Sequence, residues 1–108
     1  MRNQTNELTI CNAIKDYQPI RFRYKDELHY REFNPHAVYY SPKDSSKVLA
    51  WGRQTKDESE PLKQPDFRRF EVSLIVNMSV LDREFKPDYN FTITAKEFRN
   101  GIICAINR

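Results

Sequence analysis

Glycine is nearly absent from this chain, at two residues in 108. That scarcity excludes the glycine-rich loops that cradle phosphates in dinucleotide-binding and P-loop proteins, and with them P-loop nucleotide hydrolysis. Cysteine is equally scarce: Cys11 and Cys104 lie far apart and form no metal-spaced pair. With no apolar leader segment in view, both read as small buried hydrophobes in a reducing, cytoplasmic setting. His29 and His36 are the only histidines, and without clustered carboxylates or thiols around them no metal site and no cofactor is expected. The acceptor-like Asn90-Phe91-Thr92 is idle without a secretory signal. No apolar run reaches the roughly 18 residues of a membrane span.

Charge of one sign is missing as well. Lys and Arg number 18 against 15 Asp and Glu, a net charge of +3. Over residues 20–70 the balance is 11 to 8, too even for a chain that simply coats polyanions, so any basic site must be local. A chain of this length supports one compact domain burying roughly 65% of its unfolded surface.

What the chain does have is aromatic residues: seven Phe, six Tyr and one Trp. Ile10, Ala13, Ile14 and Tyr17 fall on one helical face, with Thr5 and Asn6 as available caps and Pro19 as the stop. This pattern predicts an amphipathic helix over about residues 6–17. Residues 19–24 and 28–33 read as a hairpin about Lys25-Asp26-Glu27, after which Pro35 bends the path. Residues 37–40 and 47–53 read as two further short strands joined by a polar turn. Residues 55–64 carry charge and Pro61 but little to bury, and read as a mobile connection. Strand character returns at 67–72 and 76–85, with a helical corner at 73–75. In the tail, Thr94-Ala95-Lys96-Glu97 has the form of a capping box for a short helix, and Ile102 to Ile106 form a last strand. Short, evenly spaced strands after one helix favour a small barrel. The expected division is a barrel with its helix over residues 1–88 and a C-terminal extension over 89–108.

Basic and aromatic residues recur together on these strands. In Ile20-Arg21-Phe22-Arg23-Tyr24 the apolar trio shares one face and the arginines the other. Arg31 and Phe33, then Trp51 and Arg53, repeat an arginine and a ring at a spacing of two, hence on one side of a strand. A guanidinium beside a ring can take a phosphate while the ring stacks a base. Arg68 and Arg69 point to opposite faces, so a given groove takes one of them.

The ordered set Ile20 to Tyr24, Arg31-Glu32-Phe33-Asn34-Pro35-His36, Val48-Leu49-Ala50-Trp51, Phe67 to Ile75 and Phe85 resembles the WYL domain family over about residues 8–88. The resemblance implies a mainly β, α+β fold: a small Sm-like or SH3-like barrel with a leading helix. It also implies a place in bacterial transcription regulation, phage defence included, with nucleic-acid or nucleotide ligands. It places Tyr24, Arg31 and Arg68 at ligand-facing positions, with His36 after the matching proline. The tripeptide that gives the family its name is replaced by Ser46-Lys47-Val48, and Glu71 and Leu74 occupy later basic positions. Only about 20 residues precede the barrel pattern, and they hold one helix rather than a DNA-reading helix-turn-helix.

Each candidate also has a plainer role. Arg31 could make a cross-strand ion pair contributing under about 1 kcal/mol. Trp51 suits the core better than a stacking platform. Acid–base catalysis by His29 or His36 beside Arg31 is disfavoured, because the two histidines differ in strand parity and Pro35 intervenes. The resulting expectation is a non-enzymatic sensor that binds single-stranded nucleic acid or a nucleotide through Tyr24, Arg31, His36, Arg53, Arg68 and Arg69. Its partners would be that ligand and a transcription regulator or a second copy of the chain, with no membrane. The competing expectation is an interaction module that uses strand edges or an apolar tail patch at Ile102, Ile103 and Ile106.

Overall fold

The computed structural model describes residues 2–106; residues 1, 107 and 108, the outer ends of the two expected segments, lie outside the described residues. Helix α1 spans Gln4–Lys15, two residues earlier than its apolar periodicity alone suggests. Asn3 is the N-cap, its side chain accepting from the Asn6 N–H at 3.0 Å. Asn6, expected as a cap, instead donates its side-chain amide to the Val72 and Ile75 carbonyls at 3.1 and 2.9 Å and ties the helix to a distant corner. Ile10, Ala13 and Ile14 are buried, whereas Tyr17 has left the helix with φ 54° and is 39% exposed.

Six strands follow: β1 Ile20–Tyr24, β2 Arg31–Tyr40, β3 Val48–Asp57, β4 Asp66–Glu71, β5 Ile75–Val80 and β6 Ile102–Ala105. The antiparallel order is β4-β3-β2-β1-β5, with β6 paired to β2. Strands β4 and β5 end the strip, yet a single 3-10 turn, Val72–Leu74, joins them, so the sheet must curl on itself. The fold is mainly β, a small Sm-like or SH3-like α+β domain with its helix at the N-terminus.

The two short strands expected on either side of Pro35 are one. Residues 31–33 of β2 pair with β1, residues 37–39 pair with β6, and Pro35 stands at the changeover, where the β2–β3 register shifts. A proline lacks a ladder donor, and a bulge is where a strand tolerates one. Gly52 lies opposite; a Cβ there would meet the Asn34 carbonyl oxygen at 2.1 Å and the Phe33 ring at 2.8 Å. Residues 55–57, expected in the mobile connection, extend β3 because Gln54 and Asp57 are held by a buried cluster at its end. Strand β5 stops at Val80 instead of continuing to Phe85; beyond it Leu81 and Phe85 donate to the Pro19 and Tyr17 carbonyls.

Phe22, Phe33 and Phe70 meet edge to face at 5.1–6.1 Å in the centre of the core. Each such buried ring contributes roughly 1.5–3 kcal/mol from burial alone. In the tail, Lys96–Phe98 form one 3-10 turn capped by Ala95 without a side-chain bond, so the capping box does not form. Thr94 pairs with Thr92 instead, and Glu97 accepts from the Tyr39 hydroxyl. Ile106 is buried and Ile102 and Ile103 are half-buried against the core.

The cysteines correct the sequence reading. Cys11 on α1 and Cys104 on β6 form a disulfide across 93 residues of chain. The pairing was hidden because nothing local shows that β6 returns along β2 to the helix. Cysteines paired in this way give no reason to place the chain in a reducing compartment. No helix among the described residues is long and apolar enough to cross a membrane.

Candidate ligand-binding face

The β3–β4 register sets Trp51 opposite Arg69 and Arg53 opposite Phe67. Strand alternation then puts these four on the outer face, while Ala50 and Phe70 are fully buried on the inner one. Trp51 stacks on Phe67 at 5.0 Å with planes 10° apart and meets Phe91 at 5.3 Å with planes tilted by 32°. Phe67 remains 43% exposed, with the Arg53 guanidinium 5.7 Å above its ring. The result is a row in which a stacked pair of rings is flanked by cations, open to solvent at the Phe67 end.

At the other end the face runs into a groove of about 300 Å³ lined by Tyr24, Lys43, Lys47, Leu49, Arg69 and Glu71. The Tyr24 ring packs on Phe70 at 4.9 Å, and its hydroxyl accepts from the Glu71 N–H at 2.9 Å. Burial pushes that phenol's pKa up, so it presents a neutral O–H. The Arg69 side chain is 56% exposed, with Nε 3.5 Å from Glu97. Lys47 is 55% exposed and lies 4.0 Å from Glu71. Exposed cations facing few fixed carboxylates keep capacity for a phosphate.

Arg31 is placed very differently. It is buried, and all five of its N–H donors are taken: Glu27 accepts at 2.9–3.2 Å, Gln54 at 2.8 Å and Asp57 at 3.1 Å. Its guanidinium lies 5.4 Å from the Phe70 ring centre, and the His29 ring nitrogen lies 3.4 Å from Asp57. Burial works to raise the Asp57 pKa, but bonds from the Ser59 hydroxyl and N–H, with Arg31 and His29 nearby, hold it below the usual carboxylate value. His36 is 1% exposed; Nδ1 donates to the Asn34 carbonyl and Nε2 accepts from the Asp88 N–H, which fixes the neutral tautomer. Arg68 is half-buried on the inner side, 5.5 Å from the centre of the Phe70 ring.

Of the six residues singled out in the sequence, the structure brings Tyr24 and Arg69 to one groove and Arg53 to the same face. Arg31 and Arg68 are not brought there, and His36, though its ring lies 5.7 Å from Trp51 and 5.3 Å from Phe91, is buried and offers nothing to a ligand at the surface. Lys43, Lys47 and Phe67 were not among the ligand-facing residues singled out in the sequence. The signal for Lys47 was present: residues 47, 49, 51 and 53 share one strand parity, so Lys47 extends the face of Trp51 and Arg53.

No protein-family model matches this sequence, and no curated protein does. Among solved structures the chain is similar to proteasome accessory factor B/C (PafBC) of Arthrobacter aurescens, with a TM-score of 0.60 and 22% identity over 81% of this chain. The match covers 13% of the PafBC chain, so this chain spans a small part of that protein's length. At such identity the likeness is one of fold: a mainly β domain of the same architecture occurs as one segment of PafBC.

Proposed function

We propose that this chain is a WYL-like, non-enzymatic regulatory domain that binds single-stranded nucleic acid or a nucleotide on the outer face of β3 and β4. The observation that carries the reading is the continuous row of Arg53, Phe67, Trp51, Arg69 and Lys47, which leads into the groove shared with Tyr24 and Lys43. Phosphates need cations that are not already neutralised, and bases need an exposed ring; this face offers both. Its resemblance to WYL domains and its fold likeness to a segment of PafBC support a regulatory role, with the ligand as signal.

Fluorescence anisotropy with labelled single-stranded DNA and the matching RNA, at about 50 and 200 mM salt, tests the reading. The expected result is binding that weakens steeply with salt and is lost in Arg53→Ala/Arg69→Ala. Binding that is insensitive to salt, or absent with the protein folded, overturns it.

A further inference from the structure

The salt contact between Arg69 and Glu97 joins the basic groove to a second cavity. That pocket, of about 100 Å³, has walls of Trp51, Phe91 and Phe98, with Glu97, Asn90 and Thr92 as its polar lining. Phe98 stands at 86° to Trp51 and 62° to Phe91, so the three rings form a corner. Phe67 and Phe91 both pack on Trp51, at 5.0 and 5.3 Å, so a guest sits in the corner the rings leave. Glu97 is held in place: Oε2 accepts from the Tyr39 hydroxyl and faces Arg69 Nε at 3.5 Å, leaving Oε1 without a hydrogen bond among the described residues. The Tyr39 phenol keeps its proton, because burial and then the bond to Glu97 push its pKa up.

Resting on the nucleic-acid reading above, we propose that this pocket takes one unstacked cytosine of the bound strand. The N4 amino group of that base donates to Glu97 Oε1 while its phosphate is held by Arg69. A cavity of about 100 Å³ has room for one flat pyrimidine ring. A carboxylate at the edge of an apolar pocket takes a donor, and the N4 amino group of cytosine supplies one with an acceptor on one side only, whereas the N3–H of thymine or uracil is flanked by O2 and O4, both of which the carboxylate repels. A cationic guest is disfavoured by the cations around the carboxylate: Arg69 Nε lies 3.5 Å from Glu97, and Lys43 and Lys47 line the adjoining groove.

The test is anisotropy with oligo(dC) and oligo(dT) strands of equal length at neutral pH and low salt. Oligo(dC) is expected to bind roughly tenfold more tightly. Glu97→Gln, whose amide can accept from cytosine or donate to thymine, is expected to collapse that ratio to about twofold or less. With the unmodified protein, a strand of N4-dimethylated cytosine, which lacks the donor, is expected to bind no better than oligo(dT); this arm needs no variant to fold. Equal binding of oligo(dC) and oligo(dT), or a preference for oligo(dT), overturns the cytosine assignment while leaving the proposed function standing. A preference that survives Glu97→Gln or N4 dimethylation overturns the role of Glu97. Binding of neither strand overturns both the pocket and the function it rests on, and displacement of oligo(dC) by tetramethylammonium overturns the assignment in favour of a cation.

Discussion

Arg31 and Arg69 each stand beside an aromatic ring on the same sheet, and what separates them is the number of acceptors the fold fixes around each. Arg31 faces two carboxylates and an amide oxygen that take every donor it has, and its side chain is 8% exposed. Arg69 faces one carboxylate, at 3.5 Å and already engaged by Tyr39, and its side chain is 56% exposed. A guanidinium saturated by the protein closes one end of the barrel; one left with spare donors in water is available to a ligand. Arg31 lies 5.4 Å from the Phe70 ring centre and Arg69 is the cross-strand partner of Trp51, so an arginine next to an aromatic residue says nothing by itself about function.

The largest way to break this comparison is Arg31→Ala. Removing one partner from a buried ion pair leaves Asp57 and Glu27 uncompensated, and a loss of roughly 3–5 kcal/mol in urea unfolding is expected. A loss below about 1 kcal/mol would place Arg31 in the same class as surface cations and erase the distinction. Next comes β3 itself, whose two sides should respond differently. Gly52→Ala drives a methyl into the Asn34 carbonyl and the Phe33 ring and is expected to cost about 1–3 kcal/mol. Arg53→Ala, one residue on and pointing outward, should stay within about 0.5 kcal/mol in the same unfolding experiment.

The sequence made one side of this comparison legible and hid the other. Local periodicity was enough for α1, for the alternation of Ile20, Phe22 and Tyr24, and for the corner before Ile75, because these depend on neighbours in the chain. The continuity of β2 through Pro35 was not legible, since it depends on a partner change from β1 to β6 that only the folded register reveals. The burial of Arg31 escaped notice for the same reason: Gln54 and Asp57 lie 23 and 26 residues away and reach it only once β3 pairs with β2. Strand parity, being local, separated Arg68 from Arg69, but which of the two faces outward needed the β3–β4 register, and that Arg69 faces Glu97 required the tail to fold back.

On the outer face the expected effects are smaller and appear in binding instead of stability. Arg69→Ala should lower affinity for single-stranded nucleic acid about tenfold and reduce the salt slope by about one phosphate contact, with the unfolding midpoint unchanged. Arg68→Ala, on the neighbouring residue but turned towards Phe70, should leave both affinity and slope nearly as they were. Equal losses from the two variants would mean that the faces are not distinct in function.

The smallest effect is the pH response of the Arg31 cluster, and its sign follows from Asp57. The folded-state pKa of that carboxyl lies below its unfolded value of about 3.9, so folding favours the ionised form. Its contribution is therefore fully present above the unfolded pKa and is lost as pH falls from there through the folded pKa. Urea midpoints measured from pH 6 downward should fall in that acidic window, and Asp57→Asn should lower the midpoint at pH 6 while removing part of the slope below pH 4. The size is modest because burial of Asp57 opposes the hydrogen bonds from Ser59 and the attraction of Arg31. A slope unchanged by Asp57→Asn would mean that the Arg31 cluster is held by packing on Phe70 and not by its charges, and the difference between the two arginines would then be one of burial alone.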